Sequence, residues 1–274
     1  YFKGHFTREY MAALLTSVLD NSDKVSGYIG ECRECGIALL PPDINRSADR
    51  FTVEEGGIRF GLVAIKNIGR GFIQAVMRER ETGGDFTSLY DFCSRMNGSE
   101  MNKRAVENLI RSGAFDSMGA RRSQLIKVYE SVMDSVAAQQ RENVEGQMDF
   151  FSMAADNDEK SNSVKEITLP DIPEYTPEEL MTMEKATTGL YLSGHPMDHY
   201  RDAVRKLHAP TIVSIIEDFS RENGPERFTD GQRITIAGVI TSSKTKTTKN
   251  NSLMAYVMVE DDTASLELLC FSRV

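Results

Sequence analysis

The sequence predicts a mainly α-helical chain with a small β hairpin near residue 55 and antiparallel β structure after residue 232. Three observations carry this. Apolar residues recur at helical spacing through most of the first 140 residues. Between residues 61 and 115 a short apolar helix, a tight glycine-bearing turn and a second helix occur twice. From Arg233 the apolar period changes from helical to two.

The first of the two copies is Gly61-Leu62-Val63-Ala64-Ile65-Lys66-Asn67-Ile68-Gly69-Arg70-Gly71-Phe72-Ile73. The second is Val106-Glu107-Asn108-Leu109-Ile110-Arg111-Ser112-Gly113-Ala114-Phe115. Each reads as a helix-hairpin-helix. Small residues at such a turn let the backbone approach a ligand closely. The N–H groups that open the following helix have no intrahelical partner. Together they make a seat for a phosphate oxygen. The candidate DNA-binding residues are therefore Lys66, Asn67, Ile68, Gly69, Arg70 and Gly71 at the first turn, and Arg111, Ser112, Gly113 and Ala114 at the second. Two seats imply a grip on double-stranded DNA at two points, blind to sequence. Similar strings also occur in helical hairpins that only pack, so a non-catalytic protein-interaction scaffold is the alternative.

Charge distribution fits the first reading better than the total does. The chain of 274 residues carries a net charge of −9. Residues 60–127 hold eleven Lys/Arg and seven Asp/Glu, a net of +4, whereas residues 130–200 hold four and fifteen, a net of −11. The positive excess lies with the hairpins and is modest, which predicts weak, salt-sensitive binding. No apolar run reaches the ~18 residues of a membrane helix, and no signal peptide is visible. The four cysteines form no dense framework, which suits a reducing cytoplasm.

Taken in order, residues 7–20 and 24–35 read as amphipathic helices, the second stopped at Gly36. Cys32 and Cys35 are spaced CxxC, but no second pair or histidines follow at metal spacing, so both are read as core cysteines. Residues 37–40, 51–53 and 58–60 read as short strands, the last two joined through Glu54-Glu55-Gly56-Gly57, and this small sheet is expected to brace the first hairpin. Helices follow over 72–80 and 87–96. Asn102 caps the next helix, and residues 121–138 form a long one with Leu125, Tyr129, Val132 and Val136 on its buried line.

Residues 139–174 are polar and acidic and read as a linker. Thr176-Pro177-Glu178-Glu179 is a helix start with Thr as N-cap, Pro at N1 and Glu at N3. His195 has no nucleophile or metal partner nearby and reads as structural. Strands are expected from Ile234, over 253–260 and over 266–271, with Asp261-Asp262 as a solvated turn. They read as about three strands of an OB barrel. The polar connection 244–251 carries Lys244, Lys246 and Lys249, which are possible single-strand contacts or a solvated hairpin tip. No cluster of carboxylates suits metal-assisted phosphoryl transfer: Asp156 and Asp158 fall in the acidic tract, and Asp261 and Asp262 fall in the turn.

The order of features resembles the alpha subunit family of bacterial DNA polymerase III. The strings that carry the resemblance are Tyr10-Met11-Ala12-Ala13-Leu14-Leu15, Leu40-Pro41-Pro42-Asp43-Ile44-Asn45, Ala64-Ile65-Lys66-Asn67-Ile68-Gly69, Ser112-Gly113-Ala114-Phe115-Asp116 and Gly189-Leu190-Tyr191-Leu192-Ser193-Gly194-His195-Pro196. The resemblance implies a fragment in five parts: the end of the fingers (1–58), a tandem helix-hairpin-helix domain (59–138), an acidic linker (139–175), a helical connector (176–231) and a partial OB fold (232–274). It implies that the polymerase active site, with its Mg2+, lies outside this sequence, so that no cofactor is expected here.

Gln147-Met148-Asp149-Phe150-Phe151 sets large apolar side chains in the acidic tract and resembles the pentapeptide by which replication proteins bind the ring-shaped sliding clamp. The expected partners are thus double-stranded DNA, the clamp and possible further replisome subunits, with no membrane.

Overall fold

The computed structural model describes residues 1–19, 22–98, 101–150, 168–248 and 251–271. In chain order the helices are α1 (Phe2–His5), α2 (Thr7–Ser17), α3 (Ser22–Glu34), α4 (Arg70–Gly83), α5 (Leu89–Met96), α6 (Lys103–Arg111), α7 (Arg122–Phe150), α8 (Pro177–Thr188), α9 (Arg201–Leu207) and α10 (Ile212–Phe219). Short 3-10 turns cover Leu62–Ala64, Asp116–Met118 and Pro196–Tyr200. One sheet has β1 (Ala38–Leu40), β2 (Thr52–Glu54) and β3 (Gly57–Arg59); the other has β4 (Val239–Thr247), β5 (Leu253–Glu260) and β6 (Ser265–Phe271). The chain is mainly helical, as its sequence predicts. It divides into two compact units, Tyr1–Ser17 with Ala38–Leu192, and Val18–Ile37 with Ser193–Val274. Helix α8 thus falls in the same unit as the hairpins.

In the first unit β3 lies centrally, parallel to β1 and antiparallel to β2, with Ile58 opposite both Leu39 and Val53. The β2–β3 turn uses Gly56 at φ 97, a left-handed conformation that suits glycine. Gly57 is required by space, since a Cβ there would stand 2.2 Å from the Ala38 carbonyl oxygen. Arg59 locks the hairpin with two hydrogen bonds from Nε and one from Nη2 to the Glu54 carboxylate.

In the same unit Phe72, Phe86, Phe92 and Phe115 are buried, with edge-on ring contacts at 5.0 Å (Phe86–Phe92), 5.1 Å (Phe92–Phe115) and 6.2 Å (Phe72–Phe92). Asn45 ties the loop after β1 to this cluster, donating to the Phe86 carbonyl and accepting from the Phe86 N–H. Arg95 holds the end of α4 by donating to the Glu79 and Gly84 carbonyls, and its guanidinium lies 4.3 Å from the Phe86 ring centroid. Helix α7 packs on α5 and α6 through the expected line Leu125, Tyr129, Val132 and Val136.

This helix continues past residue 138 to Phe150, where the composition suggested a linker. The stretch 139–145 contains no Pro or Gly and is rich in Gln and Glu, which cost a helix little. Residues 170–174 also dock: the Arg121 guanidinium donates to the Ile172 carbonyl and Gln124 to that of Pro170.

In the second unit β4, β5 and β6 form an antiparallel meander, a partial sheet consistent with an OB-like region. Two sequence expectations need correction here. Strand β4 begins at Val239, so Ile234 and Ile236 precede it, and it runs through Lys244–Thr247, which had read as a loop. Alternating Thr and Lys suit an exposed strand as well as a polar loop. Asp261 is buried instead of solvated. Its carboxylate accepts from the Ile212 N–H at the start of α10 (2.7 Å) and from the N–H groups of Thr263 and Ala264. Asp218 similarly accepts from the backbone of Glu226, Arg227 and Phe228.

Cys32 is buried as expected, but Cys35 is exposed. Burial pushes the Cys32 thiol up to about 11 and, in the first unit, the Cys93 thiol up to about 12, so neither is a thiolate near neutral pH. Among the described residues no helix is long and apolar enough to cross a membrane.

Candidate nucleic-acid interface

The first hairpin departs from its expected form: its leading helix is one 3-10 turn, Leu62–Ala64. The bonds that brace it come from the loop between β1 and β2, where the sequence suggested the sheet itself: Leu62 and Val63 donate to the Ala48 and Asp49 carbonyls, and Ser47 Oγ donates to that of Phe60. Gly61 sits so close to Arg50 that a Cβ would lie 2.4 Å from the Arg50 carbonyl carbon. The chain then turns through Asn67 at φ 62, a left-handed position that Asn tolerates better than most residues.

Gly69 is the N-cap of α4, with φ −73 and ψ 145, and no side chain caps the helix. Gly69, Arg70 and Gly71 are exposed, Ile68 is half-buried, and nothing lies within 4 Å of where a Gly69 Cβ would be. On the opposite side Phe72, Ile73 and Val76 are buried and fix the helix direction. Among the described residues no acceptor meets the Arg70 and Gly71 amides. The turn therefore presents unpaired donors, the positive end of a 14-residue helix and one guanidinium to the outside.

Lys66 is placed differently from Arg70. Its N–H donates to the Thr187 carbonyl (2.8 Å) and its Nζ to the Ala186 carbonyl (3.1 Å), both in the last turn of α8. Its own carbonyl accepts from Asn108 Nδ2 of α6 at 2.6 Å.

The second turn corrects the expectation of two equal seats. Ser112, Gly113 and Ala114 are buried. Their amides are consumed by the end of α6: Ser112 donates to Asn108, Gly113 to Ile110 and Ala114 to Leu109. With Gly113 at φ 84 this is a Schellman closure of the helix, in which glycine serves the left-handed position. The Ala114 carbonyl in turn accepts from the Ile44 N–H. Arg111 is half-buried and ion-paired to Glu107 at 3.0 Å.

The helix after that turn is also closed. The Asp116–Met118 turn intervenes, and the Arg122 and Ser123 amides at the start of α7 donate to the Glu174 carboxylate at 2.8 and 2.9 Å. Arg122 lies under the turn, its guanidinium donating to Asp116, Glu184 and the Arg111 carbonyl. Sequence reasoning missed Arg122, Glu174, Glu184 and Thr187. The helix-ending glycine was the one local signal available, since Gly113 follows a strongly amphipathic helix.

The remaining candidates are dispersed. Gln147, Met148, Asp149 and Phe150 form the last residues of α7, and Phe151 lies outside the described residues. Lys244 and Lys246 stand on β4, with the Lys246 ammonium 5.1 Å from the Tyr256 ring centroid, and Lys249 lies outside the described residues. His195 is buried and caps its own 3-10 turn, Nδ1 accepting from the Met197 N–H, and burial pushes its pKa down. Among the described residues no three His, Cys, Asp or Glu side chains gather as a metal site.

Residues 36–125 match the helix-hairpin-helix motif family. Over all of its 274 residues the chain is 36% identical to DNA polymerase III subunit alpha of Saccharopolyspora erythraea and 32% identical to that of Vibrio cholerae, in each case spanning 22% of the relative. It is 36% identical to the Deinococcus radiodurans protein of the same name, spanning 20% of it. The strings that suggested the resemblance thus sit within an end-to-end match, and the chain spans about a fifth of the length of the DNA polymerase III alpha subunits it is similar to.

Proposed function

We propose that the first unit holds double-stranded DNA by phosphate contacts that ignore sequence, and that it does so within a replicative DNA-directed DNA polymerase. The observation that carries this reading is the uncapped, exposed start of α4 at Gly69-Arg70-Gly71. Phosphate oxygens seat there on the amides of Arg70 and Gly71, with the Arg70 guanidinium adding charge and Asn67 and Ile68 shaping the approach. With a net of +4 over residues 60–127, affinity is expected near the non-specific range, on the order of 10⁻⁴ to 10⁻⁶ M at physiological salt. A gel-shift titration of a short duplex tests this. Gly69→Leu places bulk over the amides and should weaken binding; unchanged binding would remove the assignment.

The second hairpin favours the scaffold reading for its own part, because its amides and the start of α7 are satisfied internally. Its contribution to DNA is indirect, through the packing of α6 and α7.

Gln147 to Phe151 is read as a tether to a sliding clamp, which raises the local concentration of DNA through a second attachment. Lys244, Lys246 and Lys249 are read as contacts for a single strand. Nucleotide transfer with Mg2+ belongs to the polymerase as a whole. The described residues offer no carboxylate cluster that fits the metal, so no catalytic step is assigned to them. A cytoplasmic location and other replisome partners go with this reading.

A further inference from the structure

The geometry points to Lys66 as a positioning residue that acts through α8 and does not itself contact phosphate, which makes α8 a working part of the DNA-holding turn. This rests on the reading of Gly69–Gly71 as a phosphate seat. Three bonds hold the peptide at Lys66. Its N–H and its ammonium satisfy the carbonyls of Thr187 and Ala186, and its carbonyl is taken by Asn108. The last carbonyls of a helix have no intrahelical partner, and its C-terminus carries partial negative charge. The Lys66 ammonium meets both needs at once, which draws it toward α8.

Asn67, at a left-handed φ, follows directly, and Gly69 opens α4 two residues later. A shift at Lys66 therefore re-aims the Arg70 and Gly71 amides. Helix α8 is itself anchored. Glu184 is buried against Arg122 and its second oxygen accepts from the Leu192 N–H, while Thr187 and Thr188 are also buried. The turn is thus referenced to an element more than a hundred residues downstream, |i−j| being 120 for the ammonium bond.

Two measurements test the inference. In the first, duplex binding is titrated at several salt concentrations for the whole chain and its variants. Arg70→Met should lower the slope of log affinity against log salt by about one, as loss of one phosphate contact does. Lys66→Met should weaken binding about tenfold, as loss of a hydrogen bond from a charged group does, with the slope unchanged. Lys66→Arg, which keeps a charged donor for the Ala186 carbonyl, should recover most of it. A slope lowered by Lys66→Met as by Arg70→Met overturns the inference, as does unchanged affinity.

The second measurement needs no DNA. Amide hydrogen exchange should rise together in residues 66–72 and in the last turn of α8 when Lys66 is replaced by Met; exchange unchanged in α8 overturns the inference. Gly69→Leu without effect on binding, alongside coupled exchange, would instead sink the phosphate seat while leaving the Lys66–α8 bracket standing.

Discussion

Arg122 and Glu184 lie 62 residues apart in sequence and meet in a buried ion pair of 3.0 Å, with side-chain exposures of 7% and 1%. Asp116 accepts from the other edge of the same guanidinium, at 2.7 Å from Nη2. The second hairpin, the start of α7 and the middle of α8 thereby share one charged group.

Removing one member of this group should be costly. Glu184→Ala leaves a buried guanidinium with less compensation, and a loss of about 3 kcal/mol in unfolding free energy is expected. Lys103→Ala, which removes an exposed pair with Glu130 and Asp134, should leave the denaturation midpoint nearly unchanged. Urea denaturation of the two variants checks the contrast.

Gly113 and Gly69 should respond oppositely to a methyl group. At Gly113 φ is 84, and a Cβ would stand 2.3 Å from Arg122 Nη2, a group pinned by its partners, so Gly113→Ala should destabilise by about 2 kcal/mol. At Gly69 the backbone is extended and the space open, so Gly69→Ala should leave the melting midpoint nearly unchanged. Thermal melts by circular dichroism distinguish the two, and equal losses would show that the second turn is not closed as described.

The start of α7 should weaken in acid. Partial burial pushes the Glu174 carboxyl up, but hydrogen bonds from the N–H groups of Ser123, Tyr175 and Arg122 outweigh this and hold it below the usual carboxylate range. A lowered folded-state pKa means that the stabilisation is present above the unfolded value and is lost as pH falls through the folded one. Glu174→Gln should therefore lower the denaturation midpoint near pH 7 and leave it nearly unchanged at strongly acid pH. Denaturation midpoints of both proteins across that range provide the check.

The clamp reading makes its own demand. Replacing Phe150 and Phe151 together by Ala should weaken binding to a purified bacterial sliding clamp at least tenfold, since apolar anchors dominate such contacts. Surface plasmon resonance with immobilised clamp measures it, and full retention of binding would refute the tether.

Local chemistry carried much of the fold into the sequence. Gly56-Gly57 between short β-prone runs gave the β2–β3 hairpin. Thr176, Pro177 and Glu179 gave the start of α8, where the full capping box is present. Asn102 caps α6 as read. What local chemistry cannot carry is pairing at long range. Whether Ser112–Ala114 faces solvent depends on Arg122, Glu184 and Ile44, none of which marks the turn in the sequence. An apolar string such as Leu62–Ile65 is the same for one 3-10 turn as for a full helix. Lys244–Thr247 lacks the apolar alternation that marks a strand, and only its register against Met254 and Tyr256 reveals one. At the interface the open start of α4 was legible from Gly69 and Gly71, while the engagement of Lys66 by α8 was not.

Because α8 is fastened to the hairpins at Lys66 and Arg122, covalent continuity with α7 is not what keeps it in place. A chain cleaved once between Phe150 and Pro170, at an engineered protease site, would stay assembled as two peptides. They would co-elute from a sizing column and separate only in denaturant.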